Sequence, residues 1–137
     1  LRSINPPSAE CSIRGTVAVM KPEGIQPHRQ NDLFGGQGEV LVYNLLGRRS
    51  IAPFEAVLAC ELAPGGSVGA HVQQSAHEIV VITEGEGVAH VDGEPQNLVS
   101  GTVVFLPYGK QLTLQNTSES APLRYLIVKS HATVGID

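Results

Sequence analysis

Residues 69–87, GAHVQQSAHEIVVITEGEG, contain the side chains of this sequence whose spacing is best suited to chemistry. Two histidines, His71 and His77, flank a polar run, and Glu78 follows the second histidine directly. Imidazole and carboxylate groups are good ligands for divalent Mn, Fe, Ni or Zn, whereas the amide oxygen of Gln73 is a weak ligand. The same groups can also bind a small polar molecule, or exchange protons with it, without a metal. The segment therefore indicates either a metal site or a metal-free pocket.

Two short strands on either side of a polar turn must position these side chains. In a strand that ends at GAHVQ, His71 and Gln73 share one face because side chains alternate along a strand. In the next strand, Glu78 shares a face with Ile82, and His77 lies on the opposite face. The turn between the strands brings His71 and Gln73 close to either His77 or Glu78. This geometry permits an incomplete metal site.

The rest of the chain predicts many short strands and no amphipathic helix of useful length. Fifteen glycines and nine prolines divide the sequence into short runs that are rich in Val, Ile and Leu. The strand candidates are residues 16–20, 38–46, 54–62, 77–83, 87–91, 101–106, 112–116 and 124–128. The Asp-Gly pair in VDGE, residues 91–94, favours a tight hairpin turn that needs positive φ. Strands this numerous, without helices between them, predict an antiparallel barrel or sandwich.

Composition and charge limit the classes of function. The length of 137 residues corresponds to one domain, and the 42% of hydrophobic residues predict a globular chain. The formal charge of −4 argues against nucleic-acid binding, which needs clustered Lys and Arg. No apolar run is long enough to span a bilayer. No signal peptide is visible and the two cysteines, Cys11 and Cys60, form no disulfide framework, so we expect a cytoplasmic protein, although the sequence begins with Leu1 rather than Met.

Two glycine-framed motifs resemble those of the cupin superfamily, and of small single-domain microbial cupins in particular. The first cupin motif contains Gly, His-x-His, Glu and Gly, and the matching positions are Gly65, His71, Gln73, Glu78 and Gly85. The second motif contains Gly, Pro-x-Gly, His and Asn, and the matching positions are Gly101, Pro107, Gly109, Leu112 and Asn116. Fifteen residues, 86 to 100, separate the motifs, which is similar to the short spacing in small microbial cupins.

The resemblance implies an all-β, single-domain fold: a double-stranded β-helix, or jelly-roll barrel, over residues 38–129. Residues 1–37 then form an N-terminal strand and a loop or arm, the latter over the polar, Pro- and Gly-rich stretch 21–37, and residues 130–137 form a C-terminal tail. Related barrels are often homodimers. On this resemblance we expect a homodimer, with residues 12–20 or 38–46 as candidate elements for exchange between the subunits.

The motifs depart from the family pattern at the metal ligands. The resemblance implies three histidines and a glutamate around a metal ion. His71 and Glu78 are kept, but Gln73 replaces the second histidine and Leu112 replaces the third. Because tight binding needs three or more protein donors, we expect a weak or absent metal site and no certain cofactor.

An alternative ligand set compensates for part of this loss. Some small cupins are similar in using a histidine just before the glutamate position, and His77 occupies that place. The set would be His71, Gln73 and His77, with Gln111 added if its strand shifts by one residue. His77 must then point inward and Glu78 outward, which reverses every side chain of that strand.

Without a metal, the barrel interior is an apolar pocket with a few polar groups, which suits a small-molecule ligand. The predicted pocket residues are His71, Gln73, Glu78, His90 and Leu112. We favour a small-molecule-binding barrel over two enzymatic alternatives. One is a metal-dependent dioxygenase or isomerase that uses His71, His77 and Glu78. The other is a metal-free isomerase or epimerase that uses acid/base chemistry at His71 and Glu78, with Tyr108 or Tyr125 available. Arg124 is expected on a strand surface.

Overall fold

The computed structural model describes residues 24–73 and 76–131, so the predicted strand at 16–20 lies outside the described residues. The described strands are β1 His28–Asn31, β2 Glu39–Asn44, β3 Phe54–Leu62, β4 Ser67–Val72, β5 Ala76–Glu84, β6 Gly87–Val91, β7 Glu94–Leu98, β8 Val103–Leu106, β9 Gln111–Asn116 and β10 Leu123–His131. A short 3-10 turn, Leu33–Gly35, precedes β2. In these two described ranges, no helix is long and apolar enough to cross a membrane.

The strands form two antiparallel sheets with the core between them. The smaller sheet has the order β4-β9-β6-β7, and the larger has the order β1-β2-β3-β10-β5-β8. Consecutive strands β4 and β5 lie in different sheets, so the chain crosses from one sheet to the other within the first motif. The predicted fold class, an all-β jelly-roll barrel, is confirmed.

Alternation along the strands builds the core. In β3, Cys60 and Leu62 are buried between the sheets, whereas Glu61 lies on the outer face. Leucines from several strands meet there, and Leu98 and Leu106 are at most 1% exposed. Burial of each such side chain contributes about 1.5–3 kcal/mol, which is what holds the two sheets together.

Two connections differ in how well the sequence predicts them. The hairpin predicted from VDGE is present, because Asp92 and Gly93 both have positive φ and join β6 to β7. The stretch 21–37, predicted as a loop or arm, contains a strand in its described part. This strand, β1, pairs with β2 and extends the larger sheet by one strand. Polar residues at the edge of a sheet, such as these, are not distinguished from a loop by hydrophobic periodicity.

Asn116, at the end of β9, is a buried polar residue whose side chain is fully engaged. Its Nδ2 group donates hydrogen bonds to the backbone oxygens of Leu62, Ala63 and Ala121 at 3.2, 3.1 and 2.9 Å. Its Oδ1 atom accepts the backbone N–H of Ser118 at 2.9 Å. One amide side chain therefore joins two connections at this end of the barrel, the one between β3 and β4 and the one between β9 and β10.

Candidate functional site

A cavity of about 140 Å³ lies between the two sheets, toward the opposite end of the strands from Asn116. Its walls are mostly aliphatic side chains. The polar side chains that line it are His71, Glu78, Lys129, Cys60 and Tyr125. An apolar protein cavity of roughly 150 Å³ holds one benzene molecule, so this volume suits a ligand of about six non-hydrogen atoms.

Glu78 projects into this cavity from β5. The strand buries alternate residues, so Glu78 shares the inner face with Val80 and Ile82, as the sequence predicts. The carboxylate is 2% exposed, and its Oε1 atom accepts a hydrogen bond from Gln73 Nε2 at 2.5 Å. Burial raises the pKa of Glu78, and the positive charge of Lys129 and the bond from Gln73 act against this rise. A carboxyl group in this setting is poised to take up a proton.

A β-bulge in β4 brings His71 to the cavity. Leu112 and Leu114 on β9 are two residues apart. Their partners on β4, His71 and Val68, are three residues apart. The extra residue on β4 lets both His71 and Val68 face the inside of the barrel. Bulges of this kind are common next to functional sites because they redirect a single side chain.

The imidazole of His71 is held against an aromatic ring. The rings of Phe34 and His71 stack with centroids 4.4 Å apart and an interplanar angle of 17°. Burial lowers the pKa of His71, Lys129 lowers it further, and the Gly69 backbone acts weakly in the opposite sense. The Nδ1 atom is buried and has no hydrogen-bond partner among residues 24–73 and 76–131. A buried polar atom without a partner is a natural contact for a ligand.

Lys129 is a cavity residue that neither sequence motif indicates. It lies directly opposite Glu78 on the neighbouring strand β10, and both side chains line the cavity. The sequence did carry a signal, because Tyr125 and Ile127 are inward residues and the period of two continues to Lys129. The site therefore contains a cation, a carboxyl group and an imidazole.

Two further polar groups of the cavity are kept neutral. Burial raises the pKa of the Tyr125 phenol far above its usual value, with smaller contributions from Cys60 and Glu78. Burial and the Glu78 carboxylate raise the pKa of the Cys60 thiol to about 12, although Lys129 opposes the shift. Tyr108 is 54% exposed in the turn before β9 and does not line the cavity.

The alternative set of metal ligands is not assembled. His77 lies on the outer face of β5, and its Nδ1 atom accepts the backbone N–H of Tyr108 at 3.1 Å. The reversed register that would place His77 inward and Glu78 outward is not observed, because the buried face of β5 carries the aliphatic residues of the core. Gln111 is exposed at the start of β9.

His90 is also outside the cavity, contrary to its prediction as a pocket residue. It is exposed on β6, while the neighbouring Ala89 is completely buried. Its Nδ1 atom lies 3.4 Å from Thr113 Oγ1 on the outer surface of the smaller sheet. Arg124 points outward as well and pairs with Glu61 and Glu84 at 3.1 and 2.7 Å.

The donor set does not fit a tightly held metal ion. Across residues 24–73 and 76–131, no group of three His, Cys, Asp or Glu side chains is arranged to hold one. Leu112 lies opposite His71 and contributes only an apolar surface. The ammonium group of Lys129 lines the same cavity, and its charge repels a cation at short range. The arrangement favours an anion or a polar neutral molecule.

Comparisons with known proteins support this description of the fold. Residues 58–129 match the family model described as "Cupin domain". An "Oxalate-binding protein" of Thermotoga maritima is 34% identical over 115 residues, which are 83% of this chain and 94% of that protein. A crystal structure from Thermotoga maritima, described as a predicted oxalate decarboxylase, superposes with a TM-score of 0.76 at 31% identity, over 82% of this chain and 97% of that one.

A more distant structure shares the fold alone. The cupin domain of Schizosaccharomyces pombe Cnp3 superposes with a TM-score of 0.64 at 14% identity, over 79% of this chain and 71% of that chain. Similarity of architecture at this level of identity carries no information about ligands.

Proposed function

The chain belongs to the cupin family, and from this premise we propose that its cavity binds a small dicarboxylate anion of the oxalate class, without a tightly held metal. The observation that carries the proposal is the convergence of Lys129 and His71 in one cavity with aliphatic walls. A few directed polar groups inside an apolar cavity are the usual composition of a small-molecule site.

The charges of the cavity suit an anion that carries two carboxylates. The Lys129 ammonium can donate charge-assisted hydrogen bonds to one carboxylate, and these are among the stronger hydrogen bonds in proteins. The imidazole of His71 has a nitrogen available to the other carboxylate, since Nδ1 lacks a partner among residues 24–73 and 76–131. Glu78 is compatible with such a ligand once it is protonated, because it then donates a hydrogen bond instead of repelling the anion.

Size and similarity to relatives support the same ligand class. The cavity volume of about 140 Å³ is close to that of a site for about six non-hydrogen atoms, the number in oxalate. The Thermotoga maritima relative named as an oxalate-binding protein aligns with 83% of this chain. The proposal extends the ligand named for that relative to this chain.

Calorimetric titration with oxalate in the presence of EDTA tests the proposal. We expect wild-type protein to bind and Lys129→Gln to bind about ten- to a hundredfold more weakly, because a hydrogen bond to a charged group is worth about 1.5–3 kcal/mol. The matched control is Lys110→Gln, which removes a surface lysine paired with Asp92 at 3.2 Å. We expect the control to bind like wild type. No binding of oxalate by wild type, or an unchanged affinity in Lys129→Gln, would contradict the proposal.

The affinity should fall as the pH rises between about pH 5 and about pH 8. An anion beside Glu78 and His71 favours their protonated forms, so binding takes up protons and weakens as protons become scarce. Glu78→Gln keeps an acceptor for Gln73 and offers a permanent donor to the ligand. It should bind oxalate more tightly than wild type at the upper end of this range, with a shallower pH dependence. An affinity in wild type that is independent of pH would argue against proton uptake at Glu78.

We also propose that the chain forms a homodimer through the outer face of the larger sheet. Ile79, Val103 and Phe105 are 40%, 54% and 57% exposed on neighbouring strands β5 and β8. Exposed apolar side chains that are grouped on one face are typical of interaction surfaces. Sedimentation equilibrium should give a dimer mass for wild type and a monomer mass for Phe105→Glu. A monomeric wild type would rule out this proposal.

A further inference from the structure

The segment between β1 and β2 has an unusual backbone close to the cavity. Asp32 and Phe34 have φ angles of 54° and 53°, in the left-handed region that bulky side chains rarely occupy. The segment is closed on itself by a hydrogen bond from the Asp32 N–H to the Gly38 carbonyl at 3.0 Å. The Gly38 N–H in turn donates to Asp32 Oδ1 at 2.9 Å. Strain of this kind persists only where the surroundings hold the backbone in place, and it is concentrated at functional sites.

Backbone contacts fix this segment to β4. Gln37 and Ser67 exchange two backbone hydrogen bonds, with lengths of 3.0 and 2.7 Å. A Cβ atom added to Gly69 would lie 1.9 Å from the Phe34 carbonyl oxygen, and one added to Gly36 would lie 2.2 Å from the Ser67 oxygen. Only glycine fits at these two crossings, so the two backbones touch without intervening side chains.

These contacts fix the position of the Phe34 ring. Phe34 lines the cavity, stacks on His71 and is 55% exposed on its other side. A turn needs no large apolar residue for its own stability, and the left-handed backbone disfavours one at this position. The ring covers one face of the imidazole and therefore keeps water from that side of the cavity.

We propose that Phe34 is a fixed aromatic cap that sets the largest ligand the cavity accepts and holds the His71 ring in its binding orientation. The size limit rests on the proposed binding of dicarboxylates, whereas the positioning of His71 does not. Because the segment is joined to β4 by short backbone contacts, the cap is a wall rather than a lid that opens. A rigid wall rejects a longer ligand by steric exclusion, and each methylene that does not fit costs roughly tenfold or more in affinity.

A series of unbranched dicarboxylates from oxalate to glutarate tests the size limit by calorimetry. We expect wild type to lose affinity steeply along the series, by about a hundredfold or more between malonate and glutarate, which differ by two methylenes. In Phe34→Ala this difference should shrink to about threefold or less, since the wall is removed. Phe34→Tyr keeps the ring and should behave like wild type. The matched control is Phe54→Ala, which removes another exposed phenylalanine, 44% exposed at the start of β3 and outside the cavity lining.

The pKa of His71, measured by NMR without ligand, tests the positioning role. Burial holds this pKa below its usual value, so removal of the cap in Phe34→Ala should raise it, while Phe54→Ala should leave it unchanged. Gly69→Ala retains the ring but forces the segment away from β4, and it should reproduce both effects of Phe34→Ala. Urea unfolding of each variant establishes that the barrel is intact.

The possible results of these experiments distinguish a failure of the cap proposal from a failure of the proposed function. If Phe34→Ala keeps both the wild-type size profile and the wild-type pKa of His71, the cap is refuted. If wild type binds none of the dicarboxylates, the proposed function is wrong, and the proposed size limit is then wrong as well. In that case the pKa of His71 in Phe34→Ala still decides whether Phe34 positions the imidazole.

Discussion

The two ends of the barrel differ in whether their buried polar side chains find hydrogen-bond partners within the protein. At one end, Asn116 is 1% exposed, and its amide group donates to three carbonyl oxygens and accepts one N–H. At the other end, His71 has a buried Nδ1 atom with no partner among residues 24–73 and 76–131. Lys129 and Glu78 face the same cavity there. A buried polar group with all its partners inside the protein stabilises the fold, whereas one that lacks a partner is available to a ligand.

The largest effect on stability is expected at the end with complete hydrogen bonding. Asn116→Ala removes a donor from the carbonyl oxygens of Leu62, Ala63 and Ala121. The Ala63 oxygen keeps the Gly66 N–H, and each buried group that is left unsatisfied costs about 1–3 kcal/mol. We expect the free energy of unfolding in urea to fall by about 3 kcal/mol or more. Asn97→Ala, at an exposed position on β7, is the control and should change it by less than about 0.5 kcal/mol. Equal effects of Asn116→Ala and Asn97→Ala would contradict the view that the hydrogen bonds of Asn116 stabilise the fold.

Glu78→Gln should have a smaller effect, and of opposite sign. A carboxyl group with a raised pKa in the folded state makes the protein less stable as the pH rises from the usual carboxyl pKa through the raised value. The loss is complete above the raised pKa, and a tenfold change in the acid dissociation constant corresponds to about 1.4 kcal/mol. The glutamine variant should therefore unfold at higher urea than wild type near neutral pH. The two proteins should converge in acid, where Glu78 is protonated in both states; a difference that does not depend on pH would contradict this.

The smallest change in stability is expected at His71. His71→Phe keeps an aromatic ring to stack on Phe34 and removes a buried nitrogen that has no partner in the described part of the chain. The free energy of unfolding should stay within about 1 kcal/mol of wild type, while oxalate binding should weaken by about tenfold or more. A large loss of stability would mean that His71 is a structural residue like Asn116.

Much of the fold can be predicted from the sequence because side chains alternate between the two faces of a strand with a period of two. The run FEAVLACEL predicts the strand Phe54–Leu62 with the observed bounds, and HEIVVIT predicts that Glu78 shares a face with Ile82, which is the inner face. The same rule is ambiguous for GVAHV, where both faces carry small apolar residues. The sequence therefore predicts His90 in the pocket, whereas Ala89 is the inward residue. Periodicity gives the two faces of a strand but does not state which face meets the core.

The composition of the site was harder to predict than its location. The motifs indicate His71, Glu78 and Leu112, and all three line the cavity. Lys129 lies outside both motifs and contributes from a strand that is distant in sequence. The β-bulge at His71 and the left-handed backbone at Phe34 depend on tertiary contacts, and a phenylalanine gives no local signal for positive φ.

The hydrogen bonds of Asn116 have a practical consequence for production of the protein. Asn116, Thr117 and Ser118 form the tripeptide that accepts N-linked sugars in a secretory pathway. The sugar is attached at Nδ2, the atom that donates to three carbonyl oxygens in the barrel. A glycan added there before folding is too bulky for a position that is 1% exposed. Expression in a host or compartment that does not glycosylate asparagine avoids this conflict.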